Sequence, residues 1–175
     1  MAGSAATESS GKILLEVVTP DHRLLSKAVD YVAAPGSEGD FGVLPGHCHF
    51  LTTLRIGELQ YRVGEQTEYM AVLWGFAEVT PTKVTILAEI AEKAEDINVE
   101  RAEDAVRQAE ERLERGGLPS EVEEARVSLE KARLRQKIAG RHRQQGGTRL
   151  SLRGLLNYCI FLPVDPQVDI RDPDE

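Results

Sequence analysis

The sequence is poor in cysteine, in aromatic residues and in long apolar runs. Two cysteines, Cys48 and Cys159, lie far apart in the 175 residues, which excludes a disulfide framework and fits a reducing compartment. Aromatic residues make up 5%, which leaves few platforms for stacking single-stranded nucleic acid. No run approaches the roughly 20 apolar residues of a membrane-spanning helix. The N-terminus lacks a basic segment followed by an apolar core, so we expect no secretory signal.

Positive charge is also in deficit. Lysine and arginine number 21 against 29 aspartates and glutamates, a formal net charge of −8, which argues against nucleic-acid binding by the whole chain. A hydrophobic content of 41% is ordinary for a soluble protein. The length allows one domain with a real core plus an appendage. No nucleophile, base and acid stand out together, so we expect no enzymatic activity.

Metal-ligating residues are few. His47, Cys48 and His49 are consecutive, and on a strand the two histidines would share one face. A zinc site needs three or four ligands, and the remaining candidates, His142 and Cys159, fall in a basic helix and in the tail. We therefore expect no metal site.

Apolar residues alternate in short segments between residues 12 and 96, with turn residues every 8–12 positions. This pattern predicts an N-terminal β-sandwich of about ten short antiparallel strands. We expect one of them to span Leu24 to Ala34, and a break in the pattern around Trp74-Gly75. The small, polar residues 1–11 predict a disordered leader.

The apolar period changes from strand-like to helical after Glu89. It predicts a helix over 97–115, ended by glycines, and a second over 120–139 with Ser120 as its N-cap. The short connection predicts an antiparallel α-helical hairpin over 97–140. Its apolar stripe is mostly alanine, which buries little area. Such a hairpin packs weakly and is free to fold down or to extend toward a partner.

The last residues differ from both parts. Residues 141–175 begin as a basic linker and continue as an irregular tail with a short apolar run and three prolines. A mobile extension, docking on this protein or on another subunit, and contact with a membrane surface are all open readings of the tail.

The stretch Gly36 to His47 reads GSEGDFGVLPGH. Its regularly spaced glycines and its Pro-Gly pair predict an ordered turn system rather than a strand. A phosphate cradle would need a following Lys-Ser/Thr pair and helix, which are missing. A structural β-connection and a rigid loop that presents Glu38 and Asp40 to a partner remain.

Two charged features belong to the helices. Asn98 and Arg101 lie one turn apart at the start of the first helix, which suits either a phosphate or polar-ring site or a capped surface helix. Basic residues recur from Lys131 to Arg143 on the second helix. They indicate a solvated face that complements the helix dipole or a surface for an acidic partner.

The Gly36–His47 motif resembles the signature loop of the epsilon subunit of bacterial F-type ATP synthase. The resemblance continues through the segment AVLWGFAEVTPTKVTILAEIAEKAEDI and covers residues 12–139. It implies a non-catalytic rotor subunit of the central stalk, which couples proton-driven rotation of the c-ring to ATP synthesis. The sandwich would bind the gamma subunit and the c-ring, with Glu38, Asp40 and His47 facing the polar loops of the c-ring. The hairpin would inhibit ATP hydrolysis by contacting the alpha and beta subunits.

The resemblance also bears on location and on nucleotide binding. It implies a peripheral protein at the cytoplasmic face of the bacterial inner membrane, attached only through the complex. Residues 97–102 resemble the Ile/Leu-Asp-x-x-Arg-Ala motif that binds ATP in some epsilon subunits, with Asn98 in place of the aspartate. No cofactor would be required, and ATP would be regulatory. The candidate ATP-binding residues are Glu92, Asn98, Arg101, Ala102, Lys131 and Arg135. The alternative function is an ATP-responsive sensor or adaptor that acts outside the synthase.

Overall fold

The computed structural model describes residues 11–146, with side chains through residue 143. The described strands are β1 (Ile13–Val18), β2 (Arg23–Val29), β3 (Tyr31–Gly36), β4 (Gly39–Val43), β5 (Phe50–Leu54), β6 (Gly57–Val63), β7 (Gln66–Val79) and β8 (Lys83–Lys93). A 3₁₀ turn at Ala94–Asp96 leads into the helices α1 (Val99–Arg115) and α2 (Pro119–Gly146). The predicted β-sandwich followed by a helical hairpin is confirmed, with eight described strands rather than about ten. The predicted leader, apart from Gly11, and the predicted tail after Gly146 lie outside the described residues.

The sheet runs in the order β2-β1-β8-β7-β5-β3-β4, with β6 paired to β3 and β7. The described pairings are antiparallel except that between β1 and β8, which is parallel with Leu14 opposite Lys83. The expectation of antiparallel strands is wrong for this pair. Because β1 and β8 are the first and last strands described, the intervening sandwich supplies the long crossover that parallel strands need.

The core lies between the two layers of the sandwich. In β1, Ile13, Leu15 and Val17 are fully buried and alternate with more exposed residues, as a strand with one face on a core requires. The same core cluster takes side chains from each of the eight described strands. The apolar alternation seen in the sequence therefore does build the sandwich.

Two strand boundaries differ from the prediction. The single strand expected over Leu24 to Ala34 is two strands, because the chain turns at Asp30. There the Asp30 carboxylate accepts a hydrogen bond of 2.6 Å from the amide of Gly64. The break expected around Trp74-Gly75 is instead an irregularity within the continuous strand β7. The inward-facing residues change there from Met70 and Val72 to Ala77 and Val79.

The predicted turn system from Gly36 to His47 is also partly wrong. Its central residues form strand β4, which pairs with β3 so that Gly36 lies opposite Gly39. A two-residue turn joins these strands, and a second turn follows at Pro45-Gly46. Pairing with a neighbouring strand satisfies the backbone groups that a long loop would leave to solvent.

The helix ends show where tertiary packing modifies local signals. Asn98 caps α1 by accepting a hydrogen bond of 2.9 Å from the amide of Arg101. The predicted cap at Ser120 is wrong, because α2 begins at Pro119, a favoured first helical position. The predicted end before Gly140 is wrong too, since α2 continues to Gly146. Ile138 and Ala139, immediately before Gly140, are buried. Their burial offsets the cost of a glycine inside a helix, about 1 kcal/mol.

The hairpin lies against the sandwich. The seam between α1 and α2 contains four buried alanines, namely Ala102, Ala109, Ala125 and Ala132. A second apolar cluster joins α2 to the sheet and includes Ile138, Ala139, Ala71 and Leu73. The buried centre of the hairpin seam is therefore made of small side chains, whereas the contact of α2 with the sheet includes large ones.

Candidate functional sites

Three of the candidate ATP-binding residues lie where α2 packs on the sheet. The Arg135 guanidinium donates two hydrogen bonds to the Glu92 carboxylate, at 2.8 and 2.7 Å. These bonds raise the pKa of Arg135 and keep it charged. One helical turn earlier, the Lys131 ammonium lies 4.3 Å from the centre of the Trp74 ring, within the range of a cation–π contact. The cationic groups at this junction are thus already engaged by the sheet.

The other three candidates lie at the start of α1. The side chain of Asn98 is used as the helix cap, Arg101 is exposed and Ala102 is buried. Asn98 borders a cavity of about 350 Å³ whose other wall comes from Ala139 to Arg143 on α2. That wall begins four residues beyond Arg135, about 6 Å along the helix. The structure therefore brings Glu92, Lys131 and Arg135 together and places the Asn98 group further along α2.

The residues expected to face the c-ring lie within strand β4 or close to its ends. Glu38 is exposed in the turn before it, and Asp40 pairs with Arg55 at 2.6 Å. His47 lies beyond the other end of the strand, with its Nδ1 2.8 Å from the carbonyl oxygen of Cys48. The five residues of β4 extend over about 17 Å, so Glu38 and His47 lie beyond opposite ends of the strand. We call Glu38, Asp40 and His47 the rim of β4. The sequence did not indicate Arg55 as the partner of Asp40.

Among the described residues, no further metal-ligating side chains join the consecutive His47, Cys48 and His49. Within residues 11–146, no group of three or more His, Cys, Asp or Glu side chains is arranged to hold a metal ion. In the same part of the chain, no helix is long and apolar enough to cross a membrane.

An exposed apolar surface on the outer face of the sheet was missed. Leu51, Phe76 and Leu87 are 71%, 53% and 49% exposed. Phe76 on β7 lies opposite Leu87 on β8 and Thr53 on β5. Leu51 lies two residues from Thr53 on the same face of β5, opposite Glu78. We call Leu51, Phe76 and Leu87 the Phe76 patch. The change of facing residues at Trp74-Gly75 turns Phe76 outward. If the two-residue period of a strand is continued unchanged through Trp74-Gly75, it places Phe76 on the core face, which is wrong.

The basic residues of α2 pair with acidic residues elsewhere in the same chain. Arg133 bonds Glu110 of α1 at 2.9 Å. Lys137 and Arg141 both reach Glu58 of β6, at 3.4 and 3.2 Å. The sequence left open a solvated face or an acidic partner, and it gave no sign of Glu58. In this arrangement the acidic partners of the basic helix come from α1 and from the sandwich of the same chain.

Comparison with known proteins adds to this geometry. Residues 12–94 match the profile described as ATP synthase, Delta/Epsilon chain, beta-sandwich domain, and residues 95–140 match the corresponding long alpha-helix domain. The chain belongs to the ATP synthase delta/epsilon family. The resemblance to the bacterial epsilon subunit, predicted from the Gly36–His47 motif, is confirmed.

Relatives in the delta/epsilon family match most of the chain. The ATP synthase epsilon chain of Syntrophobacter fumaroxidans is 48% identical over 128 residues, which cover 73% of this chain and 96% of that protein. The epsilon chain of Nitratidesulfovibrio vulgaris strain DP4 is 49% identical over 128 residues, covering 72% and 94%. A chain in a structure of the Euglena gracilis mitochondrial ATP synthase, OSCP/F1/c-ring, has the same fold, with a TM-score of 0.66 at 23% identity. That match covers 81% of this chain and 89% of the other.

Proposed function

We propose that the chain is a non-catalytic central-stalk subunit of a proton-translocating F-type ATP synthase. The observation that carries the proposal is the family match across both parts, from residue 12 to residue 140. The sandwich would couple rotation of the c-ring to ATP synthesis as part of the rotor. Attachment through the complex makes the protein peripheral, at the cytoplasmic face of the membrane. The match favours this role over a free-standing ATP sensor or adaptor, which the sandwich-and-hairpin organisation alone would also allow.

Two surfaces of the sandwich suit the two rotor partners. The Phe76 patch is apolar, exposed and free of the hairpin, which suits burial against the gamma subunit. The rim of β4 carries Glu38, Asp40 and His47, which suit the polar loops of the c-ring. Phe76, Glu38 and Asp40 stay exposed while the hairpin is docked, so rotor binding and hairpin docking are compatible. Asp40 also lines a groove whose other wall is α2.

The hairpin would act as a brake on ATP hydrolysis. It is held on the sandwich chiefly through α2, whose basic residues are occupied by Glu58, Glu92 and Glu110. Contact with the alpha and beta subunits requires release of α2 and exposure of these cations. The docked hairpin is then the non-inhibiting state, and the extended hairpin is the inhibiting state.

ATP as a regulatory ligand would have to compete with the sandwich. A phosphate can use the Arg135 guanidinium fully only when the two bonds to Glu92 open. Lys131 is likewise engaged by Trp74, and the amide of Asn98 replaces the carboxylate of the family motif. We therefore expect ATP to bind weakly, through Lys131 and Arg135, at the expense of the Glu92 pair.

Replacing Phe76 with aspartate tests the rotor-binding surface. A carboxylate at the centre of an apolar interface must lose its hydration without a partner. We expect the affinity for a gamma subunit–c-ring complex to fall by at least about tenfold, or roughly 1.4 kcal/mol. Biolayer interferometry measures the affinity, and circular dichroism checks that the variant is folded. Gln66→Asp places the same charge on the same strand outside the patch and should bind like the original chain. Equal affinity of both variants would show that the Phe76 patch is not part of the interface. Absence of binding by the original chain would refute the rotor role.

A further inference from the structure

The sheet presents a row of two carboxylates beneath α2. Glu58 on β6 lies opposite Ala71 on β7, and Ala71 lies opposite Glu92 on β8. Residues directly opposite on adjacent strands share a face of the sheet, and strands are about 4.8 Å apart. Glu58 and Glu92 therefore flank Ala71 at a separation of about 10 Å. We call these three residues the carboxylate row.

Helix α2 forms ion pairs with both carboxylates of the row. Arg135 binds Glu92 with two hydrogen bonds, and Lys137 and Arg141 both bind Glu58. Between the two carboxylates, Ala71 belongs to the apolar cluster that includes Ile138. The helix is thus fixed by an apolar contact with a charge pair on each side.

Two aromatic rings extend this arrangement. The Lys131 ammonium lies over Trp74, and the Arg141 guanidinium lies 4.8 Å from the centre of the Tyr69 ring. The strand that supplies Ala71 therefore also supplies both rings. The docking surface matches α2 along about ten residues, or roughly 15 Å of helix.

Glu58 is the less satisfied of the two carboxylates. Its side chain is 14% exposed, and within residues 11–146 its Oε2 is buried and accepts no hydrogen bond. Among the residues that the structure describes, Lys137 and Arg141 supply the opposite charges that compensate for its burial. A buried charge that loses its partners is strongly unfavourable, whereas an intact buried pair adds little net stability. Glu58 therefore fixes the position of α2 more than it adds to overall stability.

We propose that the carboxylate row is a latch that holds the hairpin on the sandwich without a bound nucleotide and that salt or an acidic partner surface releases. A groove of about 480 Å³ is lined by Glu58, Arg55, Arg133 and Lys137, and the side chains of Lys137 and Arg141 are 57% and 39% exposed, so salt can screen them. The Debye length falls from about 10 Å at 0.1 M salt to about 3 Å at 1 M, which weakens such pairs. The use of the latch to control the brake rests on the proposed function, but the latch itself is a property of the isolated chain.

The test uses the full chain and its only tryptophan, Trp74, which the hairpin covers. Hairpin release exposes the Trp74 ring and shifts its emission to longer wavelength, so a sodium chloride titration gives a midpoint for release. We expect Glu58→Gln to lower this midpoint by about twofold or more, because Lys137 and Arg141 lose their counter-charge. Glu65→Gln, an equal change in the exposed β6–β7 turn, should leave the midpoint unchanged. Because the proposed ATP site uses Arg135 at the expense of its bonds to Glu92, ATP should lower the midpoint of the original chain or, where it does not bind, leave it unchanged.

Charge reversal provides an independent measurement. The triple variant Glu58→Lys, Lys137→Glu, Arg141→Glu keeps the pairing with opposite signs and should restore the midpoint, while Glu58→Lys alone should release the hairpin at low salt. An unchanged midpoint in Glu58→Gln, failure of the triple variant to recover, or a midpoint that rises with ATP would overturn the proposal. Because no synthase subunit is present, these outcomes are separate from success or failure of the rotor role.

Discussion

The Gly75→Ala variant is expected to lose the folded sandwich. Gly75 has φ +135, a region that side chains rarely adopt, and an added Cβ would collide with the Leu87 carbonyl oxygen and lie 2.9 Å from the Cα of Ala88. Both neighbours are backbone of the paired strand β8, which cannot move without breaking the ladder. We expect a loss of about 4 kcal/mol or more, which is a large part of the roughly 5–15 kcal/mol that stabilises an ordinary domain. Urea unfolding followed by circular dichroism measures it.

Gly39→Ala is the matched control for that experiment. Gly39 has φ +137, but nothing lies within 4 Å of the position of its Cβ. The same backbone strain is present without the collision, so the cost should stay within about 1–3 kcal/mol. Equal losses in the two variants would show that the close approach of β7 and β8 at Gly75 does not determine the fold.

The Ile138→Ala variant is expected to free the hairpin without unfolding the sandwich. Ile138 is completely buried, in the apolar cluster that joins α2 to the sheet. Truncation of a buried isoleucine costs about 2–5 kcal/mol, and here the loss falls on docking, because the sandwich core is a separate cluster. Hydrogen exchange at the amides of α1 and α2 should accelerate, while the urea midpoint of the sandwich stays within experimental error.

Leu118→Ala is the control for Ile138, because Leu118 is exposed at the tip of the hairpin. It should leave hydrogen exchange in α1 and α2 unchanged, apart from the tip itself. A joint loss of sandwich and hairpin in Ile138→Ala would contradict the separation of the two clusters. Under the brake proposal, Ile138→Ala should also inhibit ATP hydrolysis more strongly than the original chain.

The sandwich could be predicted because its signal is local. Alternation such as Ile13, Leu15 and Val17 depends on the two-residue period of a strand, and glycines and prolines mark the turns. Trp74 shows the limit of that reasoning. It has φ 53, an outlying value for a bulky residue, and with Gly75 it changes which side chains face inward. The irregularity was located from the sequence, but not its consequence, the exposed Phe76.

The hairpin was predictable as two helices but not as a docked element. The alanine spacing indicated α1 and α2, and the glycine at position 140 suggested an end that the structure does not have. Ile138 keeps the helix intact past that point because it packs on β7, a contact far away in sequence. Pairing of β1 with β8 was hidden for the same reason, since long-range partners leave no local pattern.

The same difference between local patterns and long-range contacts applies to the candidate sites. Glu92 and Arg135 were selected through family resemblance, and the structure joins them by two hydrogen bonds. Asn98 was recognised as a candidate cap from its position before a helix, and it does cap α1. Glu58 was missed because an acidic residue among alternating strand residues looks like an ordinary solvent-facing position. Only its placement under Lys137 and Arg141 gives it a role.

The most direct measurement of the central claim is ATP hydrolysis by a reconstituted alpha-beta-gamma complex. The full chain, or a version that ends at Asp96, would be added after gel filtration has shown that each associates. The proposed function predicts that both associate through the sandwich and that only the full chain suppresses hydrolysis, because only it carries the hairpin. Association without inhibition by either version would leave a coupling subunit and contradict the brake. Failure of both to associate would contradict the rotor role itself.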